Sequence, residues 1–299
     1  MGKKAVIDLG SLKMKVAIFD AGKKQLLRAD SHLILLGKGI NEHNQINQGS
    51  LEKLEAALKH TAAELKHEGI TDVTIIGTEA LRRAQNIDAV NTLIETYFPH
   101  HALEVVDQHK EAELFFAAVS REFPDQTIIA VDIGGGSVQV IKGHYDSGQE
   151  QATIDKKHNL LTGTYRLQQK YSPQNDIVSE GLAEARQHIA EAYSIVDSHA
   201  PILVFGSTCM RDFIEASQVS TLHDPANPLH PTYVEAVNLA GLLQQITQVP
   251  PKDRDHFYPD GGYFMYGADF LLMNVLEAAK RTGATRIYPT NLNGSYALI

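Results

Sequence analysis

Cysteine and tryptophan are the scarcest residue types in this 299-residue sequence, which has one cysteine, Cys209, and no tryptophan. One cysteine excludes an intramolecular disulfide and any zinc site built from several cysteines, so a small core residue is its ordinary interpretation. Long apolar runs are also missing, since none approaches the roughly 18 residues of a membrane-spanning helix. The chain starts with a short basic stretch that leads directly into a strand-like run, without the apolar region of a signal peptide. We therefore expect a cytoplasmic protein.

Basic residues are outnumbered, with 27 lysines and arginines against 36 acidic residues and a formal net charge of −9. A general nucleic-acid or membrane surface needs a broad basic face, so neither partner is expected. An anionic small substrate remains compatible with the composition where basic groups are local. The 14 histidines form no HExxH-type pair. We predict solvated surface positions, rather than metal ligands, for the following: His60, His67, His100, His101, His144, His188, His199, His223 and His230.

The most informative pattern that is present occurs twice, at residues 5–11 and 130–137. Each copy is an apolar run that ends in Asp-x-Gly, followed by a polar loop and a second apolar run, at residues 16–19 or 138–141. This pattern predicts a β-hairpin with a tight glycine turn. Two copies indicate a duplicated half-domain. A carboxylate at a strand end beside backbone N–H groups suits a phosphate site with a metal or an activated water.

The rest of the pattern repeats one order of elements, three strands and then alternating helices and strands. It predicts two mixed-sheet α/β lobes, residues 1–123 and 124–299, with a cleft between them. Ser50 is the expected N-cap of the helix at 50–67, and residues 223–231 are expected to form a surface loop. The predicted strands are 4–8, 13–19, 26–36, 73–76, 103–106, 127–132, 137–143, 151–157, 202–205 and 286–288. The predicted helices are 50–67, 78–83, 87–97, 109–121, 164–170, 177–197, 209–215, 233–247 and 263–282.

Residues 77–84 follow a predicted buried strand and are therefore expected at the carboxyl edge of a sheet, where α/β ligand sites lie. Thr78 can cap the following helix, and Glu79 can pair with Arg83 at i,i+4. Arg82 is then left for bidentate bonds to a phosphate. The alternative is that both arginines lie on a solvated helix face.

Glu111 lies near the start of a predicted helix, again after a strand. A carboxylate held there by the helix N-terminus could accept a proton from water. On local grounds alone, the favoured explanation is a first-turn glutamate that interacts well with the helix dipole.

Four motifs together resemble the exopolyphosphatase and guanosine pentaphosphate phosphohydrolase (Ppx/GppA) family in order and approximate spacing, at residues 7–11, 77–86, 111–112 and 131–137. Weaker similarity continues at residues 161–167, at 206–208 and in the helix that starts near Tyr263. The resemblance implies a two-lobed actin-like (ribonuclease H-like) ATPase fold, with duplicated mixed β-sheet domains and a central cleft. It also implies hydrolysis of the terminal phosphoanhydride of inorganic polyphosphate or guanosine pentaphosphate.

The resemblance further implies roles for individual residues. Glu111 matches the catalytic general base, and Asp132 matches a catalytic aspartate linked to a metal, expected to be Mg²⁺. The matching phosphate-binding positions are Asp8, Gly10, Ser11, Arg82, Gly134, Gly135, Gly136 and Ser137. Lys13, which does not match the family, is also expected to bind phosphate.

Some positions depart from the family pattern. Lys13 replaces a small polar residue of the first loop, Lys110 stands in the segment before the glutamate, and Gln139 replaces a carboxylate expected to help hold magnesium. These changes favour anion binding and disfavour a divalent cation. A polyphosphatase with weaker metal dependence is the first interpretation. A polyphosphate- or alarmone-binding regulatory protein with little turnover is the second, and a kinase or ATPase of the same fold is the third. A homodimer is left open.

Overall fold

The computed structural model describes residues 2–23, 25–178, 180–206 and 209–299. Its contacts divide the chain into two compact units. Unit 1 comprises residues 1–114 with Ser295–Ile299, and unit 2 comprises Phe115–Gly294. The division falls inside the helix Gln108–Ser120. The sequence places the boundary after residue 123, beyond that helix; the contacts divide earlier because Phe115 and Phe116 lie against Gly206 and Gly143 of unit 2.

Twelve strands form within the described ranges. In chain order they are β1 (Lys3–Leu9), β2 (Lys13–Asp20), β3 (Gln25–Leu33), β4 (Asp72–Gly77), β5 (Leu103–Val105), β6 (Thr127–Ile133), β7 (Val138–Asp146), β8 (Gln151–Leu160), β9 (Ile202–Gly206), β10 (Leu222–His223), β11 (Thr232–Tyr233) and β12 (Arg286–Thr290).

The same ranges contain ten α-helices and four 3₁₀ segments. The helices are α1 (Gly37–His43), α2 (Gln48–His67), α3 (Glu79–Arg83), α4 (Ile87–Tyr97), α5 (Gln108–Ser120), α6 (Thr164–Tyr171), α7 (Leu182–Ala192), α8 (Met210–Ala216), α9 (Ala236–Ile246) and α10 (Ala268–Thr282). The 3₁₀ segments are Tyr193–Ile195, Pro251–His256, Pro259–Gly267 and Gly294–Ala297.

Unit 1 contains a five-stranded mixed sheet in the order β3-β2-β1-β4-β5. Strand β1 is central, antiparallel to β2 and parallel to β4. Its last five residues are buried, as expected for an apolar strand covered on both faces. Helix α2 supplies Leu54, Leu58 and Leu65 to the unit 1 core.

Unit 2 contains a second five-stranded sheet in the order β12-β9-β6-β7-β8, and a separate pair, β10 and β11. Strand β6 is antiparallel to β7 and parallel to β9. Helix α10 is buried along most of its length, so it forms a large part of the unit 2 core.

The two sheets have the same strand arrangement, since β3-β2-β1-β4-β5 corresponds to β8-β7-β6-β9-β12 with the same parallel and antiparallel pairs. Asp8 lies opposite Lys15 in the first hairpin, and Asp132 lies opposite Gln139 in the second, so corresponding positions are 124 residues apart in both strands. The predicted duplication and the α/β class are confirmed.

Several local predictions are wrong. Asn47, not Ser50, caps α2, because its side chain accepts the Ser50 N–H at 2.9 Å; the Ser50 hydroxyl instead donates to the Leu35 carbonyl at 2.7 Å. Thr78 precedes α3 but makes no side-chain cap bond. The helix predicted at 177–197 is shorter, covering Leu182–Ala192 before a 3₁₀ turn.

The predicted loop at 223–231 is largely exposed, but the surface position predicted for His230 is wrong. His230 is 1% exposed, and its Nδ1 lies 2.8 Å from the carboxylate of Glu122. Asp224 in the same loop is buried and accepts a hydrogen bond from Arg286 at 2.6 Å. Charged partners on neighbouring elements therefore hold two buried side chains of an otherwise largely exposed, proline-rich loop.

Candidate active site

The glycine loop of unit 2 connects β6 to β7 and is held by helix α6. The Gly134 N–H donates to the Ser137 carbonyl at 3.0 Å, which closes the turn. Carbonyls of the loop then accept bonds from α6, Gly134 from the Thr164 N–H at 3.0 Å and Gly135 from the Arg166 N–H at 2.9 Å. The Arg166 Nε donates to the Gly136 carbonyl at 3.0 Å.

These carbonyl contacts fix the direction of the loop amides. In a planar trans peptide the C=O and the following N–H point in opposite directions. The N–H groups of Gly135, Gly136 and Ser137 therefore point away from α6. Successive amides that point outward from a turn form an anion-binding concavity.

Gly163 permits the close approach of α6 to this loop. A Cβ built at Gly163 would lie 2.3 Å from the backbone carbon of Gly136 and 2.5 Å from the Ser137 nitrogen. Any side chain would therefore force the loop and the helix apart. Gly163 and Arg166 therefore belong to the site, although neither is among the predicted site residues. The weak family similarity at residues 161–167 is the sequence feature that indicates them.

The loop of unit 1 has the same construction. The Gly10 N–H donates to the Lys13 carbonyl at 3.0 Å. The Ser11 carbonyl accepts the Gly37 N–H at 2.7 Å, and the Leu12 carbonyl accepts from residues 34 and 35. The start of α1 thus donates a backbone N–H to a carbonyl of the first loop, as the start of α6 does to carbonyls of the second. By the same peptide geometry, the N–H groups of Leu12 and Lys13 point away from α1.

Buried Glu79 connects the first loop to Arg83. The Ser11 hydroxyl donates to Glu79 Oε2 at 2.9 Å, and Arg83 donates to Glu79 Oε1 at 3.0 Å. The predicted Glu79–Arg83 pair is confirmed. Because the Ser11 hydroxyl donates its proton to Glu79, that hydroxyl cannot also donate to a phosphate.

Asp8 and Asp132 occupy equivalent positions, near the carboxyl ends of β1 and β6. Asp8 is buried; its Oδ2 lies 3.5 Å from the Lys15 ammonium, and its Oδ1 has no hydrogen-bond partner among the described residues. Asp132 lies opposite Gln139, whose Nε2 donates to the Ser137 hydroxyl at 2.9 Å. The proton of the Ser137 hydroxyl is consequently left for another acceptor.

Arg82 and Glu111 form an ion pair in unit 1. Arg82 Nη1 donates to Glu111 Oε2 at 2.8 Å and to the Val106 carbonyl at 2.8 Å. The prediction that Arg82 would be left without a protein partner is therefore wrong. Its Nη2, however, is buried and has no hydrogen-bond partner within the described residues.

Glu111 lies in the first turn of α5, where Asp107 accepts the Lys110 N–H at 2.7 Å. Burial raises the pKa of Glu111 above its ordinary value, and the charge of Asp8 adds to that rise, whereas the cations of Arg82 and Lys15 oppose it. A carboxylate with a raised pKa is a stronger base and better suited to accept a proton from water.

Comparison with known proteins identifies the family. The Ppx/GppA phosphatase family matches residues 16–258. The chain belongs to that family.

Individual relatives of this Ppx/GppA chain have low sequence identity to it. A Haemophilus influenzae protein named "Putative exopolyphosphatase" is 31% identical over 142 residues, which span 46% of this chain and only 44% of that relative. The crystal structure of an exopolyphosphatase from Cytophaga hutchinsonii has a TM-score of 0.82 at 19% identity, covering 99% of this chain and 96% of that one. A Ppx/GppA family member from Aquifex aeolicus has a TM-score of 0.76 at 17% identity, with 99% and 96% covered. The fold is therefore the two-domain, actin-like fold of the Ppx/GppA structures.

The remaining predicted features of this Ppx/GppA chain have the following positions in the structure. Lys110 is half exposed, with its ammonium 3.9 Å from Glu113. Ser207 and Thr208 of the predicted small-residue turn lie outside the described residues. In the described part of the chain, no three histidine, cysteine or acidic side chains are grouped as metal ligands, and no helix there is long and apolar enough to cross a membrane.

Proposed function

We propose that this protein is an exopolyphosphatase-type hydrolase that releases the terminal phosphate from inorganic polyphosphate, or from guanosine pentaphosphate, with polyphosphate preferred. Membership of the Ppx/GppA phosphatase family supports a phosphatase activity. The observation that carries the proposal is Glu111, a largely buried carboxylate of raised pKa. It is paired with Arg82, whose buried Nη2 has no hydrogen-bond partner among the described residues.

The chemistry follows from these groups. Glu111 accepts a proton from water while the water oxygen forms a bond to the terminal phosphorus. The anhydride P–O bond breaks, and its electron pair leaves with the shortened chain. The negative charge on the phosphoryl oxygens is met by Arg82 and by outward-pointing loop amides.

Magnesium is the cofactor we propose, with Asp132 as its protein ligand. Magnesium at phosphoryl-transfer sites is commonly held by one or two carboxylates, water and substrate oxygens, so a site with one carboxylate ligand suits this ion better than zinc or calcium. When bound, the ion would neutralise phosphate charge. Gln139, an amide beside Asp132 in the sheet, adds no charge for the cation.

Gln139 also favours the second candidate, a regulatory protein of the same fold that binds polyphosphate or a guanosine alarmone with little turnover. Its side chain is 1% exposed and already holds the Ser137 hydroxyl. An uncharged residue at position 139 gives less attraction for a cation than a carboxylate would. It also leaves the hydroxyl proton of Ser137 as a donor for phosphate.

The test is Glu111→Gln, measured by phosphate release from polyphosphate and from guanosine pentaphosphate, with and without magnesium. We expect turnover to fall by about 10²–10⁴-fold, because the amide cannot accept the proton. Wild-type kcat/KM should fall as the pH falls through the raised pKa of Glu111, since the base works only when deprotonated.

Glu113→Gln is the matched control, because Glu113 is an exposed carboxylate on the same helix. It should leave phosphate release within about twofold of wild type, as surface substitutions usually do. Equal release by Glu111→Gln and wild type would remove Glu111 from the reaction. Tight polyphosphate binding without release by wild type would instead support the regulatory candidate.

A further inference from the structure

The two terminal nitrogens of Arg82 have different surroundings. Nη1 carries two hydrogens and has two acceptors, the Val106 carbonyl and Glu111 Oε2, each at 2.8 Å. Nη2 also carries two hydrogens, but it is buried and has no acceptor among the described residues. Desolvating a charged donor without a partner is costly, so this arrangement favours a ligand that brings oxygen acceptors.

The Val106 carbonyl fixes the guanidinium from the end of β5. Arg82 is in α3 and Glu111 is in α5. Val106 follows β5, and its N–H donates to the carbonyl of Gly77, at the end of β4, at 3.0 Å. The guanidinium is planar and rigid. A group bound at Nη2 is therefore held at a fixed spacing from the carboxylate bound at Nη1.

We propose that Arg82 holds the base and the substrate together, with Nη1 on Glu111 and Nη2 on an oxygen of the terminal phosphoryl group. Arg82 is then a positioning residue for Glu111 as well as a phosphate ligand. The water that Glu111 activates lies between two groups attached to one rigid plane, which sets its direction of attack. This inference rests on the proposed hydrolysis, and it requires that Glu111 stay on Arg82 when substrate binds.

The charged groups around Glu111 make the inference measurable. Arg82 and Lys15 lower the pKa of Glu111, Asp8 raises it, and burial raises it most. Loss of Arg82 removes the largest opposing charge, so the pKa of Glu111 should rise further. The loss of a phosphate-binding residue that lies far from Glu111 would not produce that rise.

The experiment compares wild type with Arg82→Ala, Arg82→Lys and Arg83→Ala. The carboxyl ¹³C signal of Glu111, assigned by its loss in Glu111→Gln, is followed against pH in each protein. We expect the pKa of Glu111 to rise in Arg82→Ala, to return towards the wild-type value in Arg82→Lys, and to stay unchanged in Arg83→Ala. Arg83 is the comparison because its partners are Glu79 and the Ile40 carbonyl, not Glu111.

Kinetics give the second readout. Arg82→Ala should raise KM by roughly 10- to 150-fold through the lost charged contact and lower kcat by about 10²-fold through the misplaced base. The acid limb of the pH profile of kcat/KM should also move to higher pH in Arg82→Ala. Arg82→Lys should recover part of KM but little of kcat, because one ammonium cannot hold both groups at the fixed spacing. A change in KM alone, with an unmoved acid limb and an unmoved Glu111 pKa, would overturn the inference.

Sulfate separates this inference from the proposed function, because it does not titrate near neutral pH. Bound sulfate raises the pKa of Glu111 through its own charge, so the readout here is the pair of guanidinium nitrogens of Arg82. With saturating sulfate, the ¹⁵N signal of Nη1 in wild type should stay that of a nitrogen bonded to a carboxylate, while the signal of Nη2 changes. A loss of the Nη1 bond to Glu111 on sulfate binding would show that the anion displaces Glu111, and the inference would be wrong. This measurement needs no turnover, so an inactive wild type would contradict the hydrolase proposal and leave the result on Arg82 decisive.

Discussion

A hydroxyl group has one proton, and Ser11 and Ser137 use theirs in opposite ways. Ser11 donates to buried Glu79, so only its lone pairs remain for a ligand. Ser137 accepts from Gln139, so its proton remains. The second loop therefore offers a hydroxyl donor to phosphate in addition to its amides, whereas the first loop does not.

Replacement of Gln139 by glutamate should reverse the direction of the Ser137 hydrogen bond. A carboxylate can only accept, so Ser137 would donate to it and lose its proton for phosphate. We expect sulfate affinity without magnesium to fall by about 2- to 12-fold, the equivalent of one hydrogen bond of about 0.5–1.5 kcal/mol. Manganese binding, followed by electron paramagnetic resonance, should become tighter because the site gains a negative charge.

The control for this substitution is Gln149→Glu, which adds the same charge at an exposed position. It should change neither measurement by more than about twofold. If Gln139→Glu keeps full sulfate affinity and binds no more manganese, then Gln139 does not control the loop chemistry and the argument from hydrogen-bond direction fails.

Residue pairs near in sequence were predictable, and distant pairs were not. Glu79 and Arg83 are four positions apart on one helix, and the structure has that pair. Arg82 and Glu111 are 29 positions apart and meet only because two helices lie at one end of the sheet. Local spacing contains no signal for such a pair, so sequence reasoning left Arg82 without a partner.

At the scale of elements, each glycine loop is supported by the start of a helix. The second loop rests on α6, and the first rests on the segment that opens α1. Helix α1 was not predicted, because it is only seven residues long and contains two glycines, which lowers its helix propensity. The duplication was the available signal, since α6 was predicted at the equivalent place after the third strand.

Gly163→Ala should disrupt the second loop through steric contact alone. The new methyl group would lie 2.3 Å from the Gly136 backbone carbon, so either the loop or α6 must move. We expect sulfate affinity to fall by about tenfold or more, because the outward amides lose their common direction. The free energy of unfolding should also fall by about 1–3 kcal/mol, the usual cost of overpacking.

Gly241→Ala is the matched control. Gly241 lies in α9, and a Cβ there meets nothing within 4 Å. Alanine should therefore leave sulfate binding unchanged and raise the free energy of unfolding by about 0.5–1 kcal/mol. Unaltered sulfate binding by Gly163→Ala would show that the contact between α6 and the loop is not needed to orient the amides.

Long periodic elements were predicted best. Helix α4 has the predicted bounds, Ile87–Tyr97, because its apolar spacing is clear and Pro99 follows. The helix predicted at 263–282 begins later, at Ala268, after a 3₁₀ segment whose Gly262 has a φ of 49°. A left-handed backbone at one glycine is set by tertiary packing and leaves no mark in the apolar pattern.

At the scale of the whole molecule, each unit has its own hydrophobic core. Unit 2 also contains a fully buried ion pair, in which Arg254 Nη2 donates to Asp269 Oδ2 at 3.0 Å. Arg254 further donates to the Val249 carbonyl at 3.0 Å. These bonds fasten the 3₁₀ segment Pro251–His256 to the start of α10, so the pair ties two non-neighbouring elements of unit 2.

Removal of one member of this pair should strongly destabilise the protein, because it leaves the other charge buried without compensation. We expect Arg254→Met to lower the free energy of unfolding by about 3–5 kcal/mol, measured by urea denaturation. The double variant Arg254→Met/Asp269→Leu should recover much of that loss, since apolar residues of similar volume often replace a buried pair without cost.

Lys280→Met is the control, because it removes an exposed partner of Glu277, and it should lower the free energy of unfolding by no more than about 1 kcal/mol. If the double variant is as unstable as Arg254→Met alone, the pair stabilises unit 2 through its backbone contacts, such as the bond to Val249, rather than through charge compensation.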